Sequence, residues 1–128
     1  MVNATANGQR ILVVDDEADI LSLCTRALAN AGYTVFSASC AAQARRYIDD
    51  EQLHLIVLDI HMPDEDGISL LRYVHEVNPT LPTVMITGYP AVNTVLDALR
   101  LRARECLCKP FTLQKLLSAV ENNLPDGG

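Results

Sequence analysis

Five polar side chains suited to phosphate chemistry each follow a short, largely apolar run: Asp15, Asp16, Asp59, Thr87 and Lys109. Three carboxylates brought together repel one another, and a hard divalent cation such as Mg²⁺ relieves that repulsion. A hydroxyl and a mobile ammonium group are suited to hold phosphoryl oxygens. A carboxylate in that setting can attack phosphorus and become an acyl phosphate, although the same groups can also simply bind a phosphorylated ligand. The residues therefore indicate phosphate chemistry of one of these two kinds.

The stretch around Asp59 indicates where such side chains stand. Residues Leu55–Leu58 are all apolar, which is typical of a strand buried on both faces. The pairs Met62-Pro63 and Asp66-Gly67 prevent the strand from continuing and predict a loop. We therefore expect Asp59 at the carboxyl end of a buried strand, which is where open α/β sheets bind ligands.

Strand-like and helix-like segments alternate along the whole chain. Apolar runs rich in β-branched residues predict five strands, and apolar positions at three- and four-residue spacing predict five helices between and after them. This alternation predicts an α/β fold, a doubly wound parallel sheet covered by helices on both faces. The predicted strands are Arg10–Val14, Tyr33–Ala38, Leu55–Leu58, Pro82–Ile86 and Glu105–Cys108, and the predicted helices begin near Ala18, Ala41, Ile68, Pro90 and Thr112.

Because parallel strands all end at one edge of a sheet, the five polar residues are expected to converge there. Each also has an ordinary structural interpretation. Asp15 and Asp16 are suited to the first turn of a helix, where the helix dipole favours acids. Thr87 is followed by Gly88, as in many turns, and a lysine before a proline is usually a surface residue. Their predicted meeting at one edge favours the metal and phosphate site.

Composition and charge limit the class of protein. The chain has 128 residues, 49% of them hydrophobic and 20% charged, which is typical of one globular domain. We expect a disordered extension over residues 1–9, a domain over residues 10–124 and a tail over residues 125–128. No apolar run approaches the roughly 20 residues that span a bilayer, and residues 1–9 lack the apolar segment of a secretory signal. A cytoplasmic protein that binds no membrane is the expectation.

The net charge of −6 argues against direct binding of nucleic acid, which requires a basic surface, and fits a protein partner or a divalent cation. The last helix is expected to bury a stripe that begins with Leu113. The four cysteines lack the spacing of metal ligands, with Cys106 and Cys108 expected on opposite faces of a strand. All are expected to be small, buried and reduced, and they are Cys24, Cys40, Cys106 and Cys108.

Several motifs together resemble the receiver domain of two-component response regulators. They are Val13–Glu17, Asp59–Gly67, Thr87-Gly88 and Lys109-Pro110-Phe111, and the resemblance runs from about residue 10 to residue 124. It implies a CheY-like, flavodoxin-like fold with five parallel strands in the order 2-1-3-4-5 and five helices. It also implies a switch that accepts a phosphoryl group rather than an enzyme acting on an outside substrate.

The resemblance assigns a role to each polar residue at the predicted edge. Asp59 would accept a phosphoryl group from a sensor histidine kinase. Asp16 and Asp59 would coordinate Mg²⁺ through their side chains and His61 through its backbone carbonyl, while Asp15 would hold the ion mainly through water. Two further residues would complete the site, with Thr87 bonding the new phosphoryl oxygen and Lys109, before a cis Pro110, pairing with Asp59 or its phosphate.

The output implied by the resemblance is a change in the surface formed by the fourth helix, fifth strand and fifth helix. That surface would regulate an output domain or a partner protein and permit a phosphorylation-dependent dimer. Two positions depart from the family. Cys106 stands where the family usually has an aromatic residue, and the segment Leu99–Arg104 has three arginines and no glycine, so we expect the end of the fourth helix to be irregular.

Two alternatives remain open. A magnesium-dependent phosphatase of the haloacid-dehalogenase type also uses an aspartyl nucleophile at a strand end. That class carries a second acid two residues later, where this chain has His61, and normally needs a cap for which the chain lacks length. The second alternative is a degenerate receiver that binds partners without phosphorylation, for which Cys106 is the only support.

Overall fold

A computed structural model describes residues 8–88, 97–100 and 102–124. Within these residues strands and helices alternate along the chain. The strands are β1 (Arg10–Val14), β2 (Thr34–Ala38), β3 (Leu55–Asp59), β4 (Thr83–Thr87) and β5 (Glu105–Cys108). The helices are α1 (Ala18–Asn30), α2 (Ala41–Asp50), α3 (Gly67–Val77), α4 (residues 97–100) and α5 (Leu113–Asn123).

The five strands form one parallel sheet in the order β2-β1-β3-β4-β5. Strands β1 and β3 lie inside the sheet, and the runs Ile11–Val14 and Leu55–Leu58 are completely buried. This burial explains why both runs are apolar without alternation. The predicted doubly wound sheet of five parallel strands with five helices, and the predicted strand order, are confirmed.

Helices cover both faces of the sheet and divide the core into two layers. Leu28 of α1 and Leu116 of α5 pack in the same layer as Val57. Leu71 of α3 packs in the other layer, together with Leu58. Since consecutive strand residues point to opposite faces, Val57 and Leu58 serve different layers. Asp59, the next residue, is thereby placed at the end of a strand that both layers hold rigidly.

Helix α1 ends at a glycine, as the sequence indicates. Gly32 has a left-handed backbone, with φ of +103°. Its N–H donates to the carbonyl of Ala29 at 3.0 Å, and the N–H of Tyr33 donates to the carbonyl of Leu28 at 3.2 Å. This pair of bonds is a Schellman motif, in which glycine avoids the steric clash of a left-handed residue.

Helix α4 ends in the same motif but without glycine. The N–H of Arg102 donates to the carbonyl of Leu99 at 2.9 Å, and the N–H of Ala103 donates to the carbonyl of Ala98, also at 2.9 Å. Arg102 therefore takes the left-handed position, with φ of +66°. An irregular end was expected for this helix; among the described residues, the end differs from a usual Schellman motif in having arginine instead of glycine at the left-handed position.

The amino terminus of α2 is capped from outside the helix. Cys40 is the N-cap residue and makes no side-chain cap bond. The carboxylate of Asp64 instead accepts the N–H groups of Ala41 at 3.0 Å and Ala42 at 3.2 Å. Because Asp64 belongs to the loop after β3, this cap joins the loop beside Asp59 to α2.

The first residue of α5 departs from its predicted burial. Thr112 caps the helix, its hydroxyl accepting the N–H of Lys115 at 3.1 Å. Leu113 follows immediately and is 41% exposed, so its predicted place in the core stripe was wrong. Burial on α5 begins one turn later, at Leu116.

The cysteines also differ from expectation. Cys24 is buried, Cys40 and Cys106 are half-buried, and Cys108 is exposed. The placement of Cys106 and Cys108 on opposite faces was wrong, because residues two apart in a strand share a face. Burial, and then the nearby thiol of Cys108, raise the pKa of Cys106.

Some expectations concern residues outside the described part of the chain. The start of the fourth helix at Pro90, the tail over residues 125–128 and residues 1–7 of the expected extension fall in this group. Among the described helices, none is long and apolar enough to cross a membrane.

Candidate functional site

The site lies at the edge of the sheet where the strands end. Asp15 follows β1, and its N–H donates to the carbonyl of Ala38 at the end of β2, at 3.1 Å. Asp59 and Thr87 are the last residues of β3 and β4. Asp15 and Thr87 are completely buried and Asp59 is 2% exposed. The convergence expected from parallel strands brings these three side chains to one edge.

Lys109 holds the carboxylates at this edge together. Its Nζ lies 3.0 Å from Oδ2 of Asp15, 2.6 Å from Oε1 of Glu17 and 3.4 Å from Oδ2 of Asp59. The N–H of Lys109 donates to the carbonyl of Thr87 at 2.7 Å, and the bond to Pro110 is cis, as expected. One ammonium group therefore forms ion pairs with three carboxylates, which follow or end two different strands.

Burial dominates the electrostatics of Asp59. It raises the pKa of Asp59 to about 6, and the negative charge of Asp15 acts in the same direction. The N–H of His61, which donates to Oδ1 of Asp59 at 3.1 Å, and the ammonium of Lys109 lower the pKa in part. The His61 N–H and the Lys109 ammonium thus help to keep Asp59 ionised near neutral pH, against the effect of burial.

Lys109 is held in its charged form. Burial by itself lowers the pKa of Lys109, but the hydrogen bond to Glu17, the close contact with Asp15 and the charges of Asp15 and Asp59 more than offset this effect. The net shift of the Lys109 pKa is upward. A permanent cation therefore lies beside Asp59, where it can neutralise an incoming phosphoryl group.

The chain returns to Asp59 at the start of α3. The N–H of Gly67 donates to the carbonyl of Ile60 at 2.8 Å. A Cβ atom at position 67 would lie 2.6 Å from the carbonyl oxygen of Asp59 and 2.7 Å from that of Ile60. No side chain fits so close to main-chain atoms, and this contact explains the glycine in the Asp59–Gly67 motif.

Three carboxylates at this edge lie close enough together to share one cation. Oxygens of Asp15, Glu17 and Asp59 all lie within 4.8 Å of one another. Oδ2 of Asp15 is buried and accepts no hydrogen bond from the described residues, so only the charge of Lys109 offsets it. Hard oxygen ligands with an underused buried oxygen suit a small divalent cation. The donor set therefore fits Mg²⁺.

The cluster includes one residue that the sequence pattern did not single out and omits one that it did. Asp16 is exposed and is not one of the three clustered acids. Glu17 takes that place because its N–H donates to Oδ1 of Asp15 at 2.8 Å, which turns the chain back toward the site. The sequence run Asp15-Asp16-Glu17 could have indicated Glu17 as a member of the cluster, since all three residues are acids. The role of Asp16 as a metal ligand stays a prediction.

His61 and Cys106 are the two remaining positions that the sequence pattern singled out. His61 has an exposed side chain, and its backbone N–H faces Asp59. Cys106 is opposite Met85 of β4 and packs against the core layer of α2, α3 and α4. Its half-buried thiol stands where an aromatic ring is usual among receiver domains.

Known proteins resemble this chain over nearly its whole length. The sequence profile of the response regulator receiver domain matches residues 11–121. The response regulator receiver protein CpdR of Brucella abortus is 36% identical over 116 residues, which cover 91% of this chain and 97% of that protein. The transcriptional regulatory protein GltR of Pseudomonas aeruginosa is 36% identical over 119 residues, 91% of this chain but only 49% of GltR. The chain thus spans about half the length of this relative.

A solved structure agrees with these sequences. The CheY-like response regulator receiver domain protein from Methanospirillum hungatei superposes with a TM-score of 0.88 at 31% identity, covering 91% of this chain and 93% of that one. Receiver domains bind Mg²⁺ at an acidic pocket, and an acidic cluster of that kind lies at the sheet edge here. The chain belongs to the response regulator receiver domain family.

Proposed function

We propose that Asp59 accepts a phosphoryl group from a sensor histidine kinase in a magnesium-dependent reaction. Response regulator receivers are signalling switches rather than enzymes that act on outside substrates, so self-phosphorylation from small donors and self-dephosphorylation are the only reactions proposed. The observation that carries the proposal is the position of Lys109, whose ammonium lies within 3.4 Å of Asp15, Glu17 and Asp59. Such a set is unfavourable for stability alone and suited to a phosphoryl group.

The reaction at Asp59 is a single displacement. A carboxylate oxygen of Asp59 attacks the phosphorus of a phosphohistidine, the new oxygen–phosphorus bond forms as the nitrogen–phosphorus bond breaks, and the imidazole leaves with the electron pair and takes a proton. The N–H of His61 orients Asp59 through Oδ1. Lys109 stays charged throughout and neutralises the oxygens of the bound phosphoryl group.

Mg²⁺ belongs to the same proposal. Asp15, Asp16, Asp59 and the backbone carbonyl of His61 are the proposed ligands, with Glu17 as a further acid beside them. When bound, the ion neutralises charge on the phosphoryl oxygens and on the clustered acids. The buried, underused oxygen of Asp15 supports this assignment.

Phosphorylation is proposed to act by shifting a population. The hydroxyl of Thr87 and the ammonium of Lys109 would bond the phosphoryl group in one arrangement of the edge and so favour it. The half-buried thiol of Cys106 cannot sweep the volume of an aromatic ring. The loop after β4, of which residues 89–96 lie outside the described part of the chain, is therefore proposed to carry much of the change to the surface of α4, β5 and α5.

That surface is proposed to regulate an output domain or a separate downstream protein, and to permit a phosphorylation-dependent dimer. Direct contact with nucleic acid is not part of the proposal, given the net charge of −6. A cytoplasmic location is part of it, because the kinase draws its phosphoryl group from ATP. Residues 10–124 form the proposed receiver domain.

The test is incubation with Mg²⁺ and acetyl phosphate, or with beryllofluoride, followed by intact mass and amide NMR. The variant Asp59→Asn is the control, and Asp66→Asn, which changes another acid of the same loop, is the matched variant that should still react. We expect one adduct that depends on Asp59, with NMR shifts reaching Thr87 and Cys106. An adduct whose shifts stop at Asp59 would overturn the proposed output, and no adduct would leave the degenerate binding module as the better interpretation.

A further inference from the structure

A cavity of about 80 Å³ lies at the end of the sheet opposite to the acidic site. It sits beside Thr83, the first residue of β4, whereas Thr87 at the acidic edge is the last. Four strand steps separate these residues, which is about 13 Å. The cavity is therefore a place in the molecule distinct from the acidic site around Asp59.

The cavity joins an apolar wall to a basic rim. Leu71 and Val74 of α3 form part of the wall, and the rim carries His75, Arg102 and Arg104. No acidic side chain is among its lining residues in the described part of the chain. His75, Arg102 and Arg104 thus line a small space, and the side chain of each carries hydrogen-bond donors.

The two arginines of the rim form no ion pair within the described residues, although the chain carries a net charge of −6. Their neighbour Arg100 differs, because its guanidinium lies 3.8 Å from the carboxylate of Asp97. In a protein with excess acids, two neighbouring guanidiniums without such a carboxylate leave positive charge available for an anion beside the cavity.

The backbone fixes both arginines at the rim. Arg102 holds the left-handed position that closes α4, with φ of +66°. The N–H of Arg104 donates to the carbonyl of Thr83 at 2.8 Å, which binds this segment to β4. A left-handed arginine is unfavourable where glycine would fit, and such residues cluster at ligand sites. Glycine would suit the backbone at position 102 better, but it would not supply the guanidinium group that arginine provides there.

We propose that this cavity binds a small phosphate-type oxyanion. A volume of about 80 Å³ holds several water-sized groups, which matches a tetrahedral oxyanion and excludes a nucleoside. The planar forks of Arg102 and Arg104 match the oxygen spacing of such an anion. The anion is either free inorganic phosphate or the terminal phosphate of a nucleotide whose base stays outside.

The test is an amide NMR titration of the full chain without divalent cations, using inorganic phosphate, AMP and adenosine in parallel at constant ionic strength. We expect saturable shifts at residues 74–75, 81, 83 and 102–104 with phosphate and with AMP. Tighter binding of AMP than of phosphate would identify a nucleotide as the source, and equal binding would identify free phosphate. Adenosine should cause no such shifts.

Three variants make the test specific. Arg104→Gln is expected to weaken phosphate binding about tenfold or more, because a charge-assisted donor is lost. Arg102→Gly removes the other guanidinium while suiting the turn, so it retains the fold and should weaken binding as well. Arg100→Gln removes the same charge nearby and should change affinity less than about twofold. Equal losses in Arg100→Gln and Arg104→Gln, or shifts that sodium chloride reproduces, would overturn the proposal.

Discussion

Nζ of Lys109 lies 2.6 Å from Oε1 of Glu17, nearer than to either buried carboxylate of the site. The side chain of Glu17 is 58% exposed, whereas that of Asp15 is completely buried. Water screens the first interaction and hardly reaches the others. The shortest contact of Lys109 is therefore expected to contribute least to stability.

Replacing Lys109 should destabilise the protein in the absence of divalent cations. Lys109→Met leaves Asp15 and Asp59 buried without a cation, and we expect the free energy of unfolding to fall by about 2–4 kcal/mol. Urea denaturation measures this, and Mg²⁺ should restore part of the loss. The matched variant Glu17→Gln should cost less than about 1 kcal/mol. Equal losses in the two variants would contradict the interpretation.

Stability should depend on pH through Asp59. Its pKa is about 6 in the folded protein, above the ordinary value of 3.8, so the folded state binds more protons between these values. The free energy of unfolding of the metal-free protein should therefore fall as pH rises from about 4 to about 6. Asp59→Asn should remove this fall and be more stable by about 1–2 kcal/mol at pH 7.

Chemical denaturation in EDTA at several pH values tests this expectation. The control is Asp50→Asn, which changes an exposed acid at the end of α2. It should keep the wild-type dependence. A difference between Asp59→Asn and wild type that is independent of pH would show that Asp59 acts through packing rather than through its protonation.

The cap supplied by Asp64 should protect the start of α2. Asp64→Ala removes the acceptor of the Ala41 and Ala42 N–H groups, and their hydrogen exchange should become about fivefold faster. The matched control is Asp66→Ala, which removes the acceptor of the Ile68 N–H at the start of α3. Each variant should affect only its own helix. Faster exchange at both helices in both variants would mean general loosening of the loop instead.

Glycine should be favourable at position 102. Arg102→Gly relieves the left-handed backbone of an L-residue, and we expect a gain of about 0.5–1 kcal/mol in the free energy of unfolding. Thermal and urea denaturation without added phosphate measure the gain. Arg100→Gly, inside the helical segment, should instead lose about as much. A loss in both variants would show that the Arg102 side chain contributes more than its backbone costs.

The fold was predictable because its strands are apolar and uninterrupted. The apolar runs before Asp15 and Asp59 indicate central parallel strands. The carboxyl ends of parallel strands lie at one edge of the sheet, and the conformation of the connecting loops does not change this. The meeting of Asp59, Thr87 and Lys109 at one edge follows from that rule. The strand beginning at Pro82 was predicted one residue early, since proline has no N–H for the ladder, and β4 begins at Thr83.

Side-chain direction beyond the strand ends was not predictable from spacing. Whether Asp16 or Glu17 faces the site depends on the bond between the N–H of Glu17 and Asp15, which one turn of backbone decides. Leu113 has the spacing of a core residue, but the position of α5 against the sheet leaves it outside. Apolar spacing in the fourth helix likewise predicts an inner-face position for Leu99, but Leu99 is 49% exposed and its neighbour Ala98 is buried. These errors arise from helix rotation, which apolar periodicity fixes only approximately.

The contact between Gly67 and the backbone of Ile60 closes residues 61–66 into a ring whose two ends meet. A closed loop of this kind can grow at small entropic cost, because its ends stay in place whatever its length. Position 67 tolerates no side chain, and Asp64 within the loop is bonded to the start of α2, so we expect a short insertion to be accepted before Asp64, between Met62 and Pro63. A fluorescent reporter placed there would stand beside Asp59 and respond to its chemical state while the sheet and α3 remain undisturbed.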